Sequence, residues 1–165
     1  MQNFLPDSFN LNLPIALIAG QGNYPILLAK RARNEGVNLR LIELGEETSP
    51  ELVKSFPQNE RAKVKVGQVG KLLKELKKLG AGYAVMAGRV TPGKLFKGLH
   101  PDIKAISLLA GLERKNAETI FGAIGDEIEK VGVQLLDARV FMNEDLADEG
   151  IMVKGKEKVL SEHIA

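Results

Sequence analysis

Ile15-Ala-Leu-Ile-Ala is an unbroken apolar run that stops at Gly20, and Gly20-Gln-Gly-Asn-Tyr-Pro25 then leads into a helical pattern. Tyr83-Ala-Val-Met-Ala repeats the arrangement and stops at Gly88. A strand that is apolar at every position must be covered on both faces, which is the signature of a parallel sheet flanked by helices. In such sheets ligands bind beyond the carboxyl ends of the strands, where both glycines fall.

The remaining periodicities complete an α/β pattern. Strands are expected at Ile15 to Ala19, Val37 to Leu44, Ala62 to Val66, Tyr83 to Ala87 and Val133 to Leu136. Helices are expected at Ile26 to Glu35, Gln68 to Leu79, Asp102 to Leu112 and Ala117 to Val131, with a short one inside Glu46 to Gln58. Pro25 suits the first helical position, and Gly36, Gly80 and Gly132 suit left-handed helix stops. Val69, Leu72, Leu73, Leu76 and Leu79 form one apolar stripe with lysines elsewhere on the helix. The order predicts a mainly parallel sheet of about five strands with right-handed crossovers. Met1 to Asn12 reads as an irregular arm, and the chain after Phe141 shows no core pattern.

Composition removes several classes of function. Without cysteine there are no disulfides, thiol nucleophiles or Cys-based zinc sites, and His100 and His163 are the only imidazoles. A net charge of +2 and 5% aromatic content argue against nucleic acid as a partner. No apolar run is long enough to span a bilayer and the N-terminus lacks the features of a secretory signal, so a cytoplasmic location is expected.

The candidate sites lie at strand-to-helix junctions. Gly20, Gln21, Gly22 and Asn23 place backbone N–H groups at a helix N-terminus, where an anion is favoured. Pro25 stands where the dinucleotide fingerprint has its third glycine, which weakens an NAD or FAD reading and leaves a phosphate, a nucleotide sugar or a tight turn. Glu43 fits a solvated strand end better than a ribose ligand. Gly88 and Arg89 bring a guanidinium to the same sheet edge, either to grip phosphate or to pair with a carboxylate. Lys94 and Lys97 read as solvent-exposed.

Elsewhere, Gln68 caps its helix or touches a ligand. Lys71, in a first helical turn, opposes the dipole unless an anion lies nearby. Asp102 reads as a helix N-cap. Asp126, Glu127 and Glu129 suit a solvated face with Lys130 better than a metal site. Asp137 is a candidate at the crevice edge, and His100 is a possible base with no evident partner. No catalytic nucleophile motif is present.

Four of these segments, Ile15–Pro25, Val66–Leu73, Val85–Val90 and Leu99–Lys104, together with Glu129-Lys-Val-Gly-Val-Gln-Leu-Leu-Asp137, resemble in order and spacing the UDP-2,3-diacylglucosamine pyrophosphatases of the lipid A pathway (the two-domain, metal-dependent type). The resemblance runs from about Pro14 to Ile151 and is to the N-terminal domain. It implies a Rossmann-like three-layer domain, hydrolysis of UDP-2,3-diacylglucosamine to lipid X and UMP, and Mg²⁺ or another divalent metal not held by this chain.

It also implies a nucleotide-sugar lipid as ligand, a C-terminal domain carrying catalysis, peripheral contact with the inner membrane and homo-oligomer formation. The expected division is residues 1–13 as an arm, 14–150 as the domain and 151–165 as a linker toward that second domain. On this view the chain is a truncated or stand-alone half, with no catalytic residue of its own. The alternative is a non-catalytic nucleotide- or phosphate-binding module.

Overall fold

The computed structural model describes residues 4–90 and 101–142. Five strands, β1 (Ile15–Ala19), β2 (Leu39–Leu44), β3 (Arg61–Val64), β4 (Tyr83–Ala87) and β5 (Gln134–Leu135), form one sheet in the order β3-β2-β1-β4-β5. Every pairing in it is parallel. The chain starts at the centre, steps outward twice, then returns to the other side of β1. That reversal creates the crevice in which doubly wound folds bind ligands.

Alternation along β1 divides the core. Ile15, Leu17 and Ala19 face α1 (Tyr24–Asn34) and α2 (Pro50–Lys54), with Leu28, Ala29 and Leu52. Ala16 and Ile18 face α3 (Val69–Lys78) and α5 (Ala117–Lys130), with Leu72, Leu76 and Ile128. A short helix, α4 (Ile103–Ala110), packs on α3. The expected stripe of α3 is buried at Val69, Leu72, Leu73 and Leu76, and its lysines point outward. Burial of each such leucine contributes about 1.5–3 kcal/mol, so α3 is held by its stripe rather than by propensity.

Several boundaries move. The helix α1 begins at Tyr24, so Pro25 occupies its second position, where its missing N–H is equally harmless. β3 ends at Val64, and β5 shrinks to two residues at the sheet margin. Gly36, Gly80 and Gly132 all adopt positive φ, as helix stops of this type require.

The arm is part of the core. Phe4, Leu5 and Phe9 pack against the α1 face, and the Phe9 ring lies 4.8 Å from that of Tyr83. The Asn10 N–H donates to the Tyr83 hydroxyl at 2.8 Å. From the segment that follows β5, Leu136, Val140, Phe141 and Met142 are buried in the same cluster. Arg139 stacks on the Phe4 ring at 4.1 Å, so the two flanking segments cover one face together.

Replacing Tyr83 by Phe should keep the ring packing and remove the hydroxyl anchor, a loss of about 0.5–1.5 kcal/mol. Hydrogen exchange should then speed up across residues 8–13 and not in β1. Equal acceleration in both would mean that the arm does not release as a unit.

Candidate functional site

Level register builds the carboxyl edge of the sheet. Ala19 pairs with both Glu43 and Ala87, so the chain leaves β1, β2 and β4 at one height. Gly20 and Gly88 consequently meet. The Gly20 N–H donates to the Ala87 carbonyl at 2.8 Å, the Gln21 N–H to the Arg89 carbonyl at 2.6 Å, and the Arg89 N–H to the Gln21 carbonyl at 3.1 Å. A Cβ on Gly20 would fall 2.4 Å from the Arg89 carbonyl oxygen, and one on Gly88 would fall 2.7 Å from that of Gln21. These glycines are required by the contact between two loops.

That contact takes up two donors of the first loop. The N–H groups of Gly20 and Gln21 are committed to β4-side carbonyls and do not point at an anion. Gly22 and Asn23, exposed at the start of α1, remain at the helix terminus, and Gly22 has φ +99° with open space where a Cβ would be. Arg89 is exposed and, among the described residues, its guanidinium has no ion-pair partner.

The β2 turn is tied into the same edge by residues that sequence reasoning passed over. Glu47 is 3% exposed and accepts from the Gln21 side-chain amide. Thr48, also buried, donates to the Ala19 carbonyl at 2.6 Å and accepts from the Leu44 N–H at 2.8 Å. They sit in an acidic stretch read as loop, and nothing local in that stretch marks them as interior. Glu43 lies 3.6 Å from Lys63, as a strand-end ion pair.

The third junction does hold an anion, supplied by the chain itself. Asp102 Oδ1 accepts from the Ala105 N–H at 2.9 Å and so caps α4. Its Oδ2 accepts from the N–H groups of Gly70 at 2.7 Å and Lys71 at 3.3 Å, two donors of the first turn of α3. Gln68 precedes α3 without capping it, and its side chain accepts instead from the Lys65 N–H at 2.9 Å. The anionic group at this helix end is therefore a carboxylate thirty-one residues beyond Lys71. Each cap of this kind contributes about 0.5–2 kcal/mol.

Between the sheet edge and these helices lies an apolar cavity of about 190 Å³. Its floor is Ile18, Leu44, Val64 and Met86, residues at or near the carboxyl ends of four strands. Val90, α3, α4 and α5 complete the wall. Arg89 thus emerges between two lining residues, Met86 and Val90.

The acidic residues do not converge. Among the described residues no three His, Asp or Glu side chains are placed to hold a metal ion. Glu127 is engaged by Lys104 at 2.7 Å and Lys130 at 3.0 Å, and Asp126 and Glu129 are exposed on the same helix. Asp137, just beyond β5, is held by Arg139 at 2.7 Å. Hydrogen bonds from these cations, Lys104 first for Glu127 and Arg139 for Asp137, keep both carboxyls below their ordinary pKa. A divalent cation does not fit this set. Lys94, Lys97, His100 and His163, with the segments 91–100 and 143–165, lie outside the described residues. Among those described, no helix is long and apolar enough to cross a membrane.

The strand order, the central crevice and the glycine corners define a Rossmann-like α/β domain. The chain belongs to the LpxI family, whose N-terminal domain matches residues 14–146. It is 30% identical over 154 residues to the UDP-2,3-diacylglucosamine pyrophosphatase LpxI of Caulobacter vibrioides, covering 92% of this chain and 52% of that protein. The chain therefore spans about half the length of that curated relative. Among solved structures, the Bordetella bronchiseptica enzyme WbmG in complex with NAD is similar at 16% identity, 79% of this chain, 38% of that chain and a TM-score of 0.46. A proposed epimerase of Bacteroides thetaiotaomicron is similar at 18% identity, with 73% and 44% covered and a TM-score of 0.46. Likeness at this level adds nothing to what the strand order establishes.

Two outcomes follow from this geometry. Gly20→Ala should destabilise the domain by about 1–3 kcal/mol, as overpacking does, because backbone must shift. Gly22→Ala, strained only in φ, should cost about 1–2 kcal/mol or less, and urea unfolding would rank them. Lys104→Met should raise the Glu127 pKa toward the ordinary range in a carboxyl NMR titration. The sign follows from the lowered folded-state value: the pair stabilises at neutral pH, and its contribution is lost as pH falls through that value.

Proposed function

We propose that this chain forms the ligand-binding half of a UDP-2,3-diacylglucosamine pyrophosphatase, the activity named for its Caulobacter relative. One observation carries the reading: an exposed arginine emerges from β4 between two residues that line an apolar chamber. A nucleotide-sugar lipid has the matching halves, an anionic phosphate and alkyl chains. Arg89 supplies two parallel N–H donors for a phosphate, and the start of α1 at Gly22 and Asn23 adds a favourable dipole. Gly20, Gln21 and Gly88 serve by shaping the loop that holds Arg89 in place. The chamber removes apolar surface of the ligand from water.

On this reading the hydrolysis to lipid X and UMP draws its reacting carboxylates and its Mg²⁺ ligands from the remaining length of the protein. Glu43, Glu127 and Asp137 are engaged by lysines or arginine and Asp102 by helix N-termini. Cytoplasmic location, contact with the inner membrane and self-association belong to the same proposal.

Titration of the chain with lipid X and with UMP, each on wild type and Arg89→Ala, tests it. Lipid X affinity should fall about tenfold or more in the variant, the loss of one charge-assisted pair. Unchanged affinity would remove Arg89 from the site. Turnover of UDP-2,3-diacylglucosamine by these 165 residues alone with Mg²⁺ would place the reacting groups inside them.

A further inference from the structure

We propose that α4 is a hinged roof over the apolar chamber and that the Asp102 carboxylate is its tether. The helix has eight residues, of which only Ala105 is fully buried. Leu108 and Leu109, both half-buried, line the chamber together with Ile18, Val64 and Met86 of the sheet side. Ile103 is 86% exposed and Ile106 54%, so the outer side of α4 is held by nothing among the described residues. A helix with so little buried surface opens at low free energy, well before the sheet does.

Among the described residues, the polar bonds that fix α4 are gathered at its first turn. Asp102 donates its N–H to the Gly67 carbonyl at 3.2 Å, and its Oδ2 accepts from Gly70 and Lys71. Gly70 permits this approach, since a Cβ there would lie 3.1 Å from that oxygen. Among the described residues the ion pair from Lys104 to the half-buried Glu127 adds a polar link at the same first turn, and α4 also packs on α3. Polar bonds at the first turn combined with an apolar underside make a hinge: α4 swings about Asp102, the 111–116 connection to α5 moving with it, and bares the chamber. The roof needs the chamber and does not need the lipid reading above.

Asp102→Asn isolates the tether. Asparagine caps its own helix as well as aspartate, so α4 keeps its N-cap, while an amide NH₂ in place of Oδ2 offers no acceptor to Gly70 and Lys71. The probe is 4-fluorotoluene, a small apolar ring followed by ¹⁹F exchange NMR. In Asp102→Asn, its exchange in and out of the protein should speed up at least fivefold, and amide exchange over residues 103–110 at least tenfold, with β1 and β4 unchanged.

Because the chain contains no cysteine, a Lys104→Cys/Glu127→Cys pair can be joined by a cleavable bis-maleimide. The joined protein should slow probe exchange at least tenfold and recover when the linker is cut. Leu109→Trp should fill the chamber and abolish binding. Unchanged probe and amide exchange in Asp102→Asn, acceleration spread equally into the strands, full-speed exchange in the joined protein, or probe binding that survives Leu109→Trp would each overturn the proposal. So would a probe that binds no form of the protein. Failure of lipid X to bind would leave the roof standing, and a roof that fails to open would leave the role of Arg89 standing.

Discussion

Backbone must touch backbone where β1 and β4 end. The two strands run level, so the chain leaving each arrives at the same place, and three hydrogen bonds between residues 20–21 and 87–89 are possible only if neither corner carries a side chain. Gln21 then reaches Glu47, and Thr48 closes on Ala19, so the β2 turn is bound to the same corner. The position of Arg89, the start of α1 and the floor of the apolar chamber are all set by this junction. A glycine-rich loop here is first a joint between strands, and any ligand chemistry is built around it.

The same donors cannot serve twice. An N–H that spans to a neighbouring strand is unavailable to a phosphate, whereas Gly22, Asn23 and Arg89, further along, are exposed at this edge. At the α3 junction the competition is settled inside the chain, because Asp102 occupies the helix end that a ligand would otherwise take. The carboxyl edge thus combines one helix terminus satisfied internally with another that is exposed.

Strand and helix identities were legible because their signals are local. Five all-apolar residues from Ile15, the α3 stripe and the glycine stops each state their structure within one window. Parallel pairing followed from that burial. The site was less legible because its decisive contacts join distant residues. Gly20 signals a turn in either reading, and only the level register reveals that Arg89 fills the space a Cβ would need. Glu47 and Thr48 look like solvent-facing loop. At Lys71, a lysine set against the dipole of α3, the carboxylate at the helix end comes from Asp102, and no local pattern announces it. The arm misled for a similar reason, since Phe4 and Phe9 find their partners at Tyr83 and Arg139, far along the chain.

Asp102 also bears on how the domain assembles. The first turn of α3 receives its carboxylate from a residue thirty-two positions later, beyond a whole strand. As the polypeptide grows, α3 is made long before that partner exists, and until β4 has joined β1 its end is served by water alone. Its last stabilisation therefore arrives with a non-local closure, the kind of event that slows folding and makes it cooperative. A single carboxylate in this way couples the completion of one helix to the correct insertion of the strand that precedes the other.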